Sequence, residues 1–310
     1  MNIVVTGSSG FVGQNIQLYF NGLNEKYTFI TLGREKLTNY DGNNLKDTLL
    51  SGNGSALIHL AGKAHDLKKI SSSSEYYTVN TELTKKIFNS FLTSESKCFI
   101  FLSSVKAVAD GVEGPLTEDY IPNPITHYGK SKLLAEEYIL SKQIPADKRV
   151  YILRPCMIHG PGNKGNLNLL YKMVSKGIPW PLGSFENKRS FCSIENLCFI
   201  IKELINREEI PSGVYNIADD VSISTNQLIQ LIANSQNKDA RILKIPKSFI
   251  SALARLGDFL HLPLNSERLQ KLSESYVVSN TKIKTAIGKP LPISSQEGLL
   301  KTLQSFNSHA

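Results

Sequence analysis

Tyr128 and Lys132 stand four residues apart in Tyr128-Gly129-Lys130-Ser131-Lys132, a spacing that places both on one face of a helix. A tyrosine phenol titrates near ~10 in water, too high for ready proton exchange at neutral pH. A neighbouring ammonium, or a positively charged ring bound beside it, favours the phenolate and lowers that value. Ser104, in Leu102-Ser103-Ser104, closes an apolar run and can hydrogen-bond an oxygen that gains or loses a proton. The trio therefore suits alcohol–carbonyl interconversion, with Tyr128 exchanging the proton. A Tyr-x-x-x-Lys alone is common by chance, so the reading depends on what surrounds it.

The chain opens with such a context. The apolar run Ile3–Val5 leads into Thr6-Gly7-Ser8-Ser9-Gly10-Phe11-Val12-Gly13, and Phe11 and Val12 begin a helical pattern. Gly7, Gly10 and Gly13 allow a tight turn and a close backbone approach to a pyrophosphate, which the helix N-terminus then attracts. The spacing is GxxGxxG, not GxGxxG, and its position between a strand and a helix points to a nicotinamide dinucleotide. Hydride would then pass to or from the nicotinamide while Lys132 also holds its ribose. At the end of the next apolar run, Gly33 stands where an acid would bind the ribose of NAD, and Arg34 follows. Arg34 either contacts a 2′-phosphate or pairs with Glu35 or solvent; the first reading favours NADP(H), with NAD(H) the alternative. Leu60, Ala61 and Gly62 end the third run with residues small enough to back the dinucleotide. His59, inside that run, reads as a packed core histidine. Asn80 supports either the site or merely a helix interior.

These residues need a scaffold. Ile3–Val5, Thr28–Leu32, Ala56–Leu60, Phe99–Leu102 and Val150–Leu153 read as buried parallel strands, and Val12–Phe20, Ser74–Thr93 and Lys130–Ser141 as the helices between them. That alternation predicts an α/β Rossmann-type fold, a doubly wound parallel sheet with right-handed crossovers. Past Gly160 come helices at Leu167–Lys176, Ile194–Asn206, Lys247–Leu260 and Ser295–Ser305, with a short strand at Val214–Ile217. They predict a smaller, interlaced C-terminal α/β substrate domain. The division falls at 1–160 with about 187–217 for the dinucleotide domain, and 161–186 with 218–310 for its partner.

With 310 residues, 41% of them hydrophobic, the chain can bury a large core. No run approaches the roughly 18 apolar residues of a membrane span, and the first residues lack a secretory leader pattern. A cytoplasmic protein is expected. Cys98, Cys156, Cys192 and Cys198 lie singly in apolar runs without CxxC spacing, so neither disulfides nor a metal site is expected. The net charge of +8 comes from scattered lysines with no basic stripe, against nucleic-acid binding. The basic, amphipathic stretch Arg241–Leu260 reads as a helix packing on its neighbours or as one touching a membrane surface.

Taken together, the motifs resemble those of the extended short-chain dehydrogenase/reductases along nearly the whole chain. The likeness is carried by TGSSGFVG, HLAG (59–62), the Asn80 segment, LSS (102–104), YGKSK (128–132) and LRPCMIHGPG (153–162). It implies a role for Pro155 at the cofactor. The segment NKRSFCSIENL (187–197) resembles the arginine-bearing stretch of members that bind sugar nucleotides. That likeness implies Arg189, Asn166 and, more loosely, Arg268 for a uridine diphosphate, whose sugar would also meet Ser104. It further implies a homodimer. Among such members the chain is most similar to enzymes of surface-polysaccharide synthesis. The Asp-Glu pair that dehydratases place after the serine is here Val105-Lys106, which excludes elimination for want of its acid and base. Lys106 polarises a keto oxygen, binds phosphate, faces solvent or packs its stem at the cleft edge. His159 replaces the family's usual tyrosine, and Ser190 the aspartate after the arginine. The resemblance implies a 4-ketoreductase of a UDP-4-keto-6-deoxy-hexosamine, with a UDP-hexose 4-epimerase as the alternative. A non-catalytic nucleotide sensor is the remaining reading, opposed by the intact Ser104, Tyr128 and Lys132.

Overall fold

The computed structural model describes residues 1–25, 27–33, 56–63, 72–163, 165–260 and 265–307. Its centre is a six-stranded, wholly parallel sheet in the order β2-β1-β3-β4-β6-β9. The strands are β1 (Asn2–Thr6), β2 (Thr28–Leu32), β3 (Ala56–His59), β4 (Cys98–Leu102), β6 (Arg149–Pro155) and β9 (Gly213–Ile217). Two small parallel pairs lie beside it: β5 (Pro115–Leu116) with β10 (Val277–Val278), and β7 (Met157–His159) with β8 (Phe191–Ser193). The five runs expected as strands are all present, and Val214–Ile217 joins the same sheet. This is the Rossmann-like architecture that the strand–helix alternation predicts.

Strand period divides the core. Ile3, Val5, Ile58 and Ile100 face α1 (Phe11–Asn21) and α6 (Ile194–Asn206), meeting Ile16, Phe20, Leu197, Ile201 and Leu204. Val4, Leu57, Phe99 and Phe101 face the opposite way, onto Ile87, Phe88 and Phe91 of α3 (Leu83–Thr93) and Ala135 and Ile139 of α4 (His127–Leu140). Both faces are covered, which is why these strands read as apolar runs without alternation. A further core joins α5 (Asn166–Ser175), α7 (Thr225–Asn234), α8 (Lys247–Leu260), α9 (Ser266–Ser273) and α11 (Ser295–Asn307) around Leu167, Trp180, Leu228, Ile250, Leu269 and Leu303. The short α10 (Thr281–Ile287) packs Ile283 and Ile287 into the first core.

One expected helix differs in detail. Ser74–Thr93 is not a uniform α-helix: a short α2 (Ser73–Tyr76) and α3 enclose the π-helical turn Tyr77–Glu82. Single wide turns of this kind gather at functional sites. Here the turn brings adjacent residues to one target, since Asn80 Nδ2 donates to Ser131 Oγ at 3.0 Å and Thr81 Oγ1 to Ser131 O at 2.8 Å.

The chain leaves β1 for β2 on one side and returns to β3 on the other. The carboxyl ends of β1 and β3 therefore flank a switch point, the place where open α/β sheets bind their ligands. Cys98, Cys192 and Cys198 are buried and Cys156 half-buried, all as free thiols. Among the described residues no helix is long and apolar enough to cross a membrane.

Candidate active site

At the end of β1, Gly7 has φ +73°, and a Cβ there would lie 2.7 Å from Ala61 N and 2.8 Å from Leu60 C. Leu60 and Ala61 thus abut the turn, as their position beyond β3 predicts. A Cβ on Gly13 would stand 2.6 Å from Gly7 O. Gly10 caps α1 with no side-chain hydrogen bond, which leaves the first-turn amides of Phe11, Val12 and Gly13 without a capping side chain, as a phosphate-binding helix start requires. Gly62 completes the floor, where an added Cβ would come 3.1 Å from both Asn80 Oδ1 and Lys132 Nζ. Such a cradle of backbone with no side chain to fill it fits a dinucleotide pyrophosphate. Gly7→Ala should cost about 1–3 kcal/mol through the positive φ and the backbone clash, and should weaken dinucleotide binding with it. Denaturant unfolding and a fluorescence titration measure both, and an unaltered variant would refute the close approach.

Thr126 caps α4 by accepting from Gly129 N at 3.2 Å, so Tyr128 and Lys132 occupy successive turns of one helix. Ser104, at the mouth of β4, accepts from Lys106 N at 3.2 Å and hydrogen-bonds the Tyr128 hydroxyl. Burial nevertheless holds the Tyr128 phenol above its ordinary value, with Ser104 partly offsetting it. The ammonium expected to lower it points elsewhere: Lys132 Nζ donates to Leu102 O at 2.8 Å and lies 4.7 Å from the Phe101 ring centre. Burial brings Lys132 down to about 8, with Glu136 opposing that shift.

Asn80 is fully buried and ties the parts together. Its Oδ1 accepts from Lys63 N at 2.7 Å, while its Nδ2 donates to Lys63 O at 3.1 Å and to Ser131 Oγ. The loop after β3 is thereby fixed to the helix carrying Tyr128. His59 is the packed histidine its strand predicts, bridging Thr6 Oγ1 at 2.7 Å and Thr84 Oγ1 at 2.8 Å. Burial, aided by Lys132, lowers it to about 3. An unfolded histidine binds its proton near ~6.5, so stability should fall as pH drops from there toward 3. Denaturation midpoints at pH 7 and pH 5 should differ less in His59→Gln than in the parent; equal slopes would sink this account.

A buried ion pair that sequence reasoning missed lies beneath the serines. Arg154 Nε stands 3.2 and 3.0 Å from the two Glu136 carboxylate oxygens, and Ser103 Oγ donates to the same carboxylate. The available signal was a charged residue at each end: Arg154 in an apolar strand and Glu136 one turn beyond Lys132.

On the far side, Arg189 Nη2 donates to Lys271 O, while its buried Nε has no hydrogen-bond partner among the described residues. Lys106 is half-buried and pairs with Asp110, its Nζ 3.6 Å from Asp110 Oδ1. Its Nζ donates to Asp110 O at 2.9 Å and lies 4.7 Å from the Tyr276 ring centre. Burial lowers its pKa and Arg189 adds to the shift, against Asp110 and Glu274. Arg189 and Lys106 thus share a partly desolvated corner with the carboxylates of Asp110 and Glu274. Pro155 closes β6 opposite Ile217, buried in the sheet. Arg268 is exposed on α9, and Asn166 opens α5. Arg34, with Glu35, and His65 lie outside the described residues. His159 is fully buried, 2.9 Å from Thr302 Oγ1 and 3.5 Å from Asp219, and Ser190 Oγ accepts from Val278 N. Neither takes the place of an exposed substrate contact. Among the described residues no three potential ligands gather as a metal site would require.

The model of the NAD dependent epimerase/dehydratase family matches residues 3–218. The UDP-glucose 4-epimerase of Vibrio cholerae is 30% identical, over 98% of this chain and 95% of its own. The N-acetyl-alpha-D-glucosaminyl-diphospho-ditrans,octacis-undecaprenol 4-epimerase of Escherichia coli O157:H7 is 26% identical, over 100% of this chain and 96% of its own. Among solved structures, the UDP-N-acetylglucosamine 4-epimerase from Bacillus cereus superposes over all of both chains with a TM-score of 0.76 at 20% identity, a likeness of fold.

Proposed function

We propose that the chain, which belongs to the NAD dependent epimerase/dehydratase family of extended short-chain dehydrogenase/reductases, is an NAD(P)-dependent 4-epimerase of a UDP-linked sugar. The observation that carries this reading is the Ser104–Tyr128 hydrogen bond set beside a glycine cradle whose floor is Lys132 and Asn80. The 4-epimerase names of the two relatives support it over net reduction.

Gly7, Gly10, Phe11, Val12 and Gly13 hold the pyrophosphate, with Leu60, Ala61 and Gly62 behind it and Lys132 at the ribose. When bound, the nicotinamide supplies hydride chemistry at C4, and the positive charge of its oxidised ring favours the Tyr128 phenolate. Tyr128 removes the proton from the sugar's 4-hydroxyl and returns it to the same oxygen after the keto sugar has presented its other face. Ser104 holds that oxygen. Arg189, with its unpartnered buried Nε, is the fork for the diphosphate, assisted by Asn166 and Arg268. Lys106 limits the cleft beside the sugar.

A second reading, reduction of a UDP-4-keto-6-deoxy-hexosamine, is favoured by Gly33-Arg34, which suits the 2′-phosphate of NADP(H). One experiment separates the two. The protein is incubated with UDP-glucose or UDP-N-acetylglucosamine and catalytic NAD or NADP, and the sugar is followed by NMR. Appearance of the C4 epimer with no net change in nicotinamide absorbance is expected. Absence of that product, with stoichiometric NADPH loss on a 4-keto substrate, would replace the epimerase by the reductase.

A further inference from the structure

Helix α8 leaves a whole face uncovered. Its inner face is narrow, where Ile250, Ala254 and Gly257 are buried at three- and four-residue spacing against the C-terminal core. Phe249, Leu253, Leu256 and Leu260 repeat at the same helical spacing beside that face, and Phe259 extends their stripe. All five are exposed, from 41% at Leu253 to 81% at Phe259. They are five of the eighteen large exposed hydrophobics among the described residues, gathered on one short helix. Single exposed apolar side chains need no explanation, whereas a contiguous stripe marks an interaction surface.

The surroundings say what covers it. Residues 241–271 carry six basic side chains, Arg241, Lys244, Lys247, Arg255, Arg268 and Lys271, against Asp258 and Glu267. This tenth of the chain thus holds four of its eight net positive charges. The six basic residues are exposed, on α8, on the segment leading into it and on α9, whose Leu269 packs into the same core as Ile250. Leu243, in the segment before α8, and Leu272, on α9, are further exposed apolar side chains. An apolar stripe with a cationic margin is the signature of a helix lying in the plane of an anionic bilayer: the stripe enters the acyl boundary while the margin meets the headgroups. A second copy of the chain would meet the same positive margin and be repelled by it.

We propose that α8 is an interfacial docking helix that seats the protein on an anionic lipid surface. The proposal goes beyond the catalytic reading and does not depend on it. It is tested by flotation of the purified full chain with phosphatidylcholine vesicles, with and without 30% (roughly one lipid in three) phosphatidylglycerol, at low and high salt. Binding is expected with the anionic vesicles, weakened at high salt. The triple variant Phe249→Ser, Leu253→Ser, Phe259→Ser should lose at least about tenfold in bound fraction, with thermal midpoint and turnover of soluble substrate unchanged. These side chains are exposed and lie outside the proposed catalytic and binding residues. No flotation of the parent with anionic vesicles, or flotation indifferent to the triple variant, would overturn the proposal. So would a parent dimer that the variant converts to monomer without any lipid binding, since a second copy would then be the occupant.

Discussion

Replacing Tyr128 with Phe should lower turnover by about 10²–10⁴-fold, the usual contribution of a positioned acid–base group, and leave dinucleotide binding nearly unchanged. The substitution removes one oxygen from a ring held edge-on to Tyr76 at 6.4 Å and leaves Lys132 on its Leu102 carbonyl. The cradle around Gly7 and Gly62 is built of backbone, Asn80 and Lys132, which the substitution leaves in place. The protein's own groups hold the phenol above its ordinary value, through burial against the opposing bond from Ser104. The free protein at neutral pH therefore keeps Tyr128 protonated, and absorbance should show its phenolate forming at higher pH than that of an ordinary tyrosine. Adding oxidised dinucleotide should bring phenolate absorbance down the pH scale in the parent and not in Tyr128→Phe. A Phe variant with parent-like turnover would remove Tyr128 from the chemistry; one unable to bind dinucleotide would make it a structural residue instead.

The glycine turn after β1 was legible because its shape is local. Three glycines between a strand and a helix describe a backbone shape, and the shape follows from residue type. The order of Ser104, Tyr128 and Lys132 likewise needed only strand ends and helix spacing. What could not be read was anything set by hydrogen-bond register or by two elements meeting. The π turn at Tyr77–Glu82 has no periodic signature, so the bonds by which Asn80 joins Lys63 to Ser131 could not be read from the sequence. The direction of Lys132 is a question of rotamer: its ammonium reaches a carbonyl at the end of β4, not the phenol four residues earlier. The packing of Lys106 could not be read because the Tyr276 ring against it arrives from 170 residues later in the chain.

Arg154→Met should destabilise the fold by about 3–5 kcal/mol, as removal of one partner from a buried ion pair does. Arg154 and Glu136 are 5% and 1% exposed at their side chains, and the guanidinium engages both carboxylate oxygens. Without it Glu136 would be a buried anion whose hydrogen bond from the Ser103 hydroxyl and whose attraction to Lys132 would replace a bidentate guanidinium. Replacing both by apolar side chains of similar volume, Glu136→Leu with Arg154→Met, should recover most of the loss, since desolvating a pair costs nearly what its attraction returns. Denaturant midpoints of the two singles and the double close this cycle, and a double variant as unstable as Arg154→Met would contradict it. Stability alone would not explain the pair's position, however. Glu136 follows Lys132 by one turn and raises its pKa against burial, while Ser103 precedes Ser104 at the end of β4. The recovered double variant should therefore fold yet bind dinucleotide with a lower pH limit, because Lys132 loses its proton more easily once the carboxylate is gone. The same pH limit as the parent would reduce the pair to packing between α4 and β6. A lowered one would make it the link by which the sheet sets the charge of the helix.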